Sequence, residues 1–172
     1  DAASLRARGW DHVTYGAFSS ALAAARLMGL DAGRMRHAIG IAGVASAALR
    51  QSRVGELSHW KGCAFANAAR HGVYAALLAR AGMTGPAPIF EGERGFEKLV
   101  SGPLRDLKLP TADSGPGKGD FMILKTHIKF WPAEYHSQSA IEAALKLRTQ
   151  IHEPIESVVV ESHDAAVDII GS

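Results

Sequence analysis

Residues 60–81 read as one long helix with a face made of small side chains. Ala64, Ala68, Gly72, Ala75 and Ala79 recur at steps of three and four. Such a face lets a neighbouring backbone come close, so the chain is bound to close helix-on-helix packing. Phe65, Val73, Leu77 and Leu78 supply bulk around the stripe. Gly82 suits the left-handed residue that ends a helix, and Thr84-Gly85-Pro86 stops its continuation. Residues 33–49 repeat the theme in AIGIAGVASAAL, with Met35, Ile39, Ala42 and Ala45 in register. Glycine weakens a helix by about 1 kcal/mol against alanine, so the glycines here need a packing reason. Before them, residues 15–29 place Phe18, Leu22, Ala25 and Met28 on one helical face. Thr14 is the expected cap of that helix, Gly29 its end, and Asp31 the N-cap of the next.

The second half of the chain reads differently. Residues 93–100 suggest a short amphipathic helix burying Phe96, Leu99 and Val100. From Gly102 the run GPLRDLKLPTADSGPGKGD is dense in proline and glycine, and a linker or mobile loop is expected over 102–120. Its GPGKG core is not a phosphate loop, because Lys118 is followed by Gly119 and Asp120 rather than Ser or Thr. Residues 121–131 alternate as a strand would, residues 134–150 carry helical periodicity, and 155–162 read as a second strand. The expected fold is mainly α with a smaller α+β part. Residues 1–101 form part of an all-helical domain, and 121–172 begin an α+β lid.

Composition removes several function classes. The chain has 172 residues and a net charge of +2, too even for bulk attraction to nucleic acid. Its longest uncharged run, residues 38–49, is well short of the roughly 20 needed to span a bilayer, so no membrane is expected. A single cysteine, Cys63, cannot form an internal disulfide, which fits a reducing compartment such as the cytoplasm. Among small apolar neighbours it is expected to be a buried, inert thiol. The eight histidines lack HxxxH or HExxH spacing, so no metal site is expected. The chain starts at Asp1 and stops just after an apolar segment, and reads as a piece of a longer protein.

Chemistry-bearing residues gather in a few places. The stretch GELSHWKGCAFANAAR, residues 55–70, puts Lys61 near a helix start, where acids are usually favoured. Ser58 is the expected N-cap. Free amides beside an ammonium make a site for a carboxylate or phosphate; a solvated lysine lying over its own helix is the bland alternative. Arg53, His59 and Trp60 stand close by, and Trp60 is suited to shielding a pocket. Asp11-His12 offers a general acid or base in the loop before the first helix. In KFWPAEYH, Lys129, Glu134 and His136 bracket Pro132. There Glu134 is either part of a site or simply a cap for the following helix.

These same stretches resemble a known family. GELSHWKGCAFANAARHGVYAALLARAGMTGP is similar to the signature helix of the MmgE/PrpD family, which comprises the 2-methylcitrate dehydratases and relatives. RGWDHVTYGAFSSALAAARLMGL and KFWPAEYHSQSAIEAAL resemble two more of its segments, in order along the chain. The resemblance implies a large helical domain, a smaller α+β lid and a site between them. It also implies a homodimer that takes a small polycarboxylate and uses no metal or organic cofactor. His12, Lys61 and Lys129 match family active-site positions, with Trp60, Glu134 and His136 as expected substrate-binding residues. Glu134 falls where the decarboxylating branch has a histidine, and the PAEYH wording is closer to the dehydratases. The expected function is dehydration of 2-methylcitrate or a similar tricarboxylate, in propionate metabolism. Cis-aconitate decarboxylation, iminodisuccinate epimerisation or a non-catalytic helical interaction module are the alternatives. Family chains are longer and carry further site residues, so the piece alone is expected to be inactive.

Overall fold

The computed structural model describes residues 4–104 and 122–171. The chain forms two compact units, residues 1–108 and 109–172. The first is built on α1 (Thr14–Leu27), α2 (Ala32–Ala45) and α3 (Trp60–Arg80). Helix α3 packs on both of the others, most extensively on α1. All five small residues of its stripe are buried.

Gly72 shows why the stripe has to be small. A Cβ built there would collide with the carbonyl of Ala17 and lie 2.7 Å from the amide of Ala21, so the two backbones touch. Gly40 and Gly43 of α2 have a reason too: the loop after α3 lies against both, and Phe18 of α1 against the second. A Cβ at Gly40 would meet Pro86 O at 2.5 Å, and one at Gly43 would meet Phe18 at 2.8 Å. The loop after α3 thus lies flat on α2 and then turns to the aromatic group Phe18, Phe90 and Phe96. Phe18 and Phe96 stand edge to face at 4.9 Å. Leu5, Ile89 and Val100 complete that cluster.

Helix ends follow the sequence in part. Asp31 caps α2 by accepting from the Arg34 amide at 2.9 Å. Gly82 ends α3 with φ of 96°, the left-handed conformation that glycine adopts at least cost. Thr14 does not cap α1. Its hydroxyl instead accepts from the Ala48 amide at 3.0 Å; Val13 holds the cap position without a side-chain cap, and Asp11 accepts from the Val13 amide in the turn before the helix. Helix α2 stops at Ala45 rather than Leu49. The residues beyond it pair with the loop before α1, through Asp11 N–H to Ala48 O at 2.8 Å and Arg50 N–H to Gly9 O at 3.0 Å. Those bonds draw residues 46–49 out of the helix and form the isolated antiparallel bridge Trp10–Leu49. The segment expected to be an amphipathic helix is a π-helical turn, Glu97–Ser101. It buries Val100, as Phe96 is buried just before it, but leaves Leu99 exposed.

In the second unit the described residues contain α4 (Gln138–Leu147) and α5 (Asp164–Ile170), preceded by the 3-10 turns Met122–Lys125 and Tyr135–Ser137. The protein is mainly α, as its periodicity predicts. Neither expected strand is present among the described residues. Residues 122–125 coil into a turn and 155–162 run on without a ladder, their valines exposed. A strand is stable only with a partner to take its N–H and C=O groups, and no described segment supplies one. Helix α5, absent from the sequence reading, is capped by the His163 ring, which accepts from the Ala166 amide at 3.3 Å. The expected linker falls outside the described residues from 105 onward. No helix among the described residues is long and apolar enough to cross a membrane.

The contact at Gly72 yields a paired expectation. Gly72→Ala should destabilise the helical unit by about 1–3 kcal/mol, since neither backbone can step aside. Gly62→Ala on the same helix meets nothing within 4 Å and should be neutral or stabilising, by up to about 1 kcal/mol. Urea denaturation followed by circular dichroism compares the two.

Candidate functional site

Asp11 is the centre of the first unit's polar chemistry. Its side chain is fully buried beneath the loop that leads into α1. One carboxylate oxygen takes the Val13 amide at 3.2 Å and His12 Nδ1 at 3.1 Å. The other takes Ser52 Oγ at 3.1 Å and Arg53 Nε at 2.7 Å. Burial works to raise the Asp11 pKa. The Val13 amide, Arg53 and Ser52 outweigh it and hold the carboxyl below its ordinary value. His12 itself is largely exposed, at 69% of its side chain. The Asp11 carboxylate lies against its Nδ1, a contact that favours a proton on that nitrogen. The arrangement can hold an oriented, solvent-facing imidazole able to give or take a proton.

The 3-10 turn Arg50–Arg53 supplies the other half of this knot and one wall of a cleft. The cleft has a volume of about 490 Å³. It lies between the end of α2, that turn and the start of α3, with Ser46, Ser52, Ser58, Trp60, Asn67 and His71 among its walls. Its lining is mixed, with hydroxyls and an amide set among alanines. Ser46 Oγ is buried there without a hydrogen-bond partner among the described residues. Arg50 is half-buried; burial lowers its pKa first, Arg6 and Arg53 lower it further, and Asp11 opposes them.

The start of α3 departs from expectation. His59, not Ser58, holds the cap position, and no side chain caps the helix. The amides of Lys61 and Gly62 donate to the carbonyls of Ser58 and His59, at 3.2 and 3.1 Å. The cradle of free amides expected around an anion is therefore already occupied at those two residues. Lys61 is half-buried and makes no ion pair among the described residues. Trp60 lines the cleft, whereas His12 and Lys61 are not among its walls. Cys63 is exposed rather than buried, because the small-residue face that turns inward runs through Ala64 and Ala68 instead.

The remaining expected residues belong to the second unit. Lys129 donates from Nζ to the Ala133 carbonyl at 3.0 Å. Glu134 caps the turn after it, accepting from the His136 amide at 2.5 Å, which is the simpler of its two readings. The Gln138 side chain, not singled out in the sequence, binds the loop to α4: it accepts from Trp131 N at 2.9 Å and donates to Trp131 O at 3.0 Å. His136 stacks edge-on against His163 at 5.2 Å, and its Nδ1 is buried without a partner among the described residues. It borders a groove of about 630 Å³ between α4, residues 158–162 and α5. Among the described residues no three His, Cys, Asp or Glu side chains gather as a metal would require.

Comparison with known proteins gives this arrangement its context. The profile of the MmgE/PrpD N-terminal domain matches residues 1–106, and that of the C-terminal domain matches residues 131–172. The chain belongs to the MmgE/PrpD family. Within that family it is 29% identical over 174 residues to the 2-methylcitrate dehydratase of Salmonella typhimurium, covering 94% of this chain and 34% of that protein. The Escherichia coli 2-methylcitrate dehydratase is 29% identical over 175 residues, and that of Cupriavidus necator 27% over 175 residues, with the same coverage. The chain thus spans about a third of the length of these MmgE/PrpD relatives.

Asp11 carries a testable pH signature. Its lowered folded-state pKa adds stability that is complete above the unfolded value, near pH 4, and lost as pH falls toward the folded one. Asp11→Asn should reduce stability at pH 7 by about 1–3 kcal/mol and flatten the acid limb of the stability curve. Denaturation midpoints between pH 7 and pH 3 measure both effects.

Proposed function

We propose that the whole protein is a hydro-lyase that dehydrates 2-methylcitrate or a closely similar tricarboxylate, in the breakdown of propionate. The carrying observation is the Asp11–His12 pair, an imidazole held against a buried carboxylate where the family resemblance leads us to expect an active-site histidine. Names of the MmgE/PrpD relatives support the substrate class.

A tricarboxylate carries about three negative charges near neutral pH. In this reading Lys61 and Lys129 bind carboxylates and stabilise the enediolate-like charge that grows as a proton leaves beside one of them. His12 Nε2 takes that proton when the ring is neutral with its N–H on Nδ1, or, as an imidazolium, delivers one to the departing hydroxyl. Trp60, Glu134 and His136 shape the binding site. No metal or organic cofactor enters the scheme. The reading makes the protein a cytoplasmic homodimer, a state that light scattering of the full-length protein measures.

The experiment follows unsaturated product by ultraviolet absorbance when 2-methylcitrate meets the full-length protein. Absorbance should rise, and Lys61→Ala should lower kcat by about 10²–10³ with the fold unchanged. Release of carbon dioxide, or deuterium exchange at the α-carbon without dehydration, would assign the chain to another reaction of the family and sink this one.

A further inference from the structure

The Arg50–Arg53 turn holds more positive charge than its surroundings balance. Arg53 gives Nε to Asp11 Oδ2 at 2.7 Å, and no other hydrogen bond of its guanidinium is made among the described residues. Its side chain stays 22% exposed, so it is not sealed in the core. Arg50, on the same turn, is half-buried, and its side chain makes no hydrogen bond or ion pair among the described residues. The two stand three residues apart on one 3-10 turn, a spacing at which side chains eclipse, and their charges repel. The buried Asp11 carboxylate binds Arg53 directly and attracts Arg50, while its two oxygens already take three hydrogen bonds and the His12 contact. Holding like charges together at a half-buried position costs free energy, and an arriving anion relieves that cost. The guanidinium fork matches a planar carboxylate through paired N–H donors, which an ammonium does not reproduce.

We propose that Arg50 and Arg53 form a carboxylate-binding subsite, with Asp11 as the positioning residue that aims Arg53 through Nε. Asp11 then orients two groups at once: the imidazole on one oxygen and the anion-holding guanidinium on the other. The choice of a carboxylate, among anions, rests on the polycarboxylate reading above.

The test is calorimetric titration of the full-length protein with citrate, and separately with inorganic phosphate. Arg53→Lys keeps a cation near Asp11 and should weaken citrate binding about tenfold. Arg50→Gln disturbs no hydrogen bond to Asp11 and should weaken it at least threefold, a readout that holds even if the Arg53 variant is poorly folded. Arg34→Ala, on the exposed start of α2, controls for bulk charge and should bind as the parent does. Unchanged citrate affinity in folded Arg53→Lys and Arg50→Gln overturns the subsite. So does a parent protein that binds no citrate, or a loss confined to phosphate. Turnover separates the two ideas. A parent inactive on 2-methylcitrate whose citrate binding still depends on Arg53 loses the lyase reading and keeps the subsite. An active parent with indifferent variants does the reverse.

Discussion

A carboxylate with no exposure to water, bonded on both oxygens, is what the helical unit's polar architecture depends on. Burying a charge is costly unless it is paired and hydrogen-bonded. Asp11 meets that condition by drawing on an amide two residues ahead and on Ser52 and Arg53 from a turn far along the chain. The same contacts bring the loop before α1 against the segment after α2. That segment then gives up its last helical turn and bridges Trp10. One buried side chain therefore joins the loop before α1 to the turn at 50–53 and lies against an imidazole.

The packing beneath this knot is dry and small. The backbones of α1 and α3 meet at Gly72, and the loop after α3 rests on Gly40. The buried aromatic rings gather around Phe18, with Phe65 lying on Gly16. Such a core leaves little freedom for the helices to slide, because alanine and glycine faces have no long side chains to repack. The polar turn 50–53 is thereby carried on a stiff support, which is what a binding group needs.

Much of the helical unit was legible in the sequence. The stripe from Ala64 to Ala79, Asp31 as a cap and Gly82 as a terminator are local signals, and local signals suffice when packing agrees with them. What escaped was long-range. Arg53 stood out as a charge near Lys61, but its partner lies 42 residues earlier. Thr14 and Ser58 had the chemistry of caps. Thr14 spends its hydroxyl on the Ala48 amide, and backbone carbonyls serve the helix start that Ser58 was expected to cap. Cys63 is set outward by one step of helix rotation, which neighbouring composition does not reveal. The valines of 155–162 alternate as a strand does, yet alternation describes a face and not the neighbour that would pair with it.

Gln138 has a consequence of its own. Its amide both accepts from and donates to Trp131, so the loop that carries Lys129 is latched to the first residue of α4. The ammonium's perch is thus tied to the helix by a side chain at its first turn, and the geometry of that loop is set from α4 as well as from Pro132.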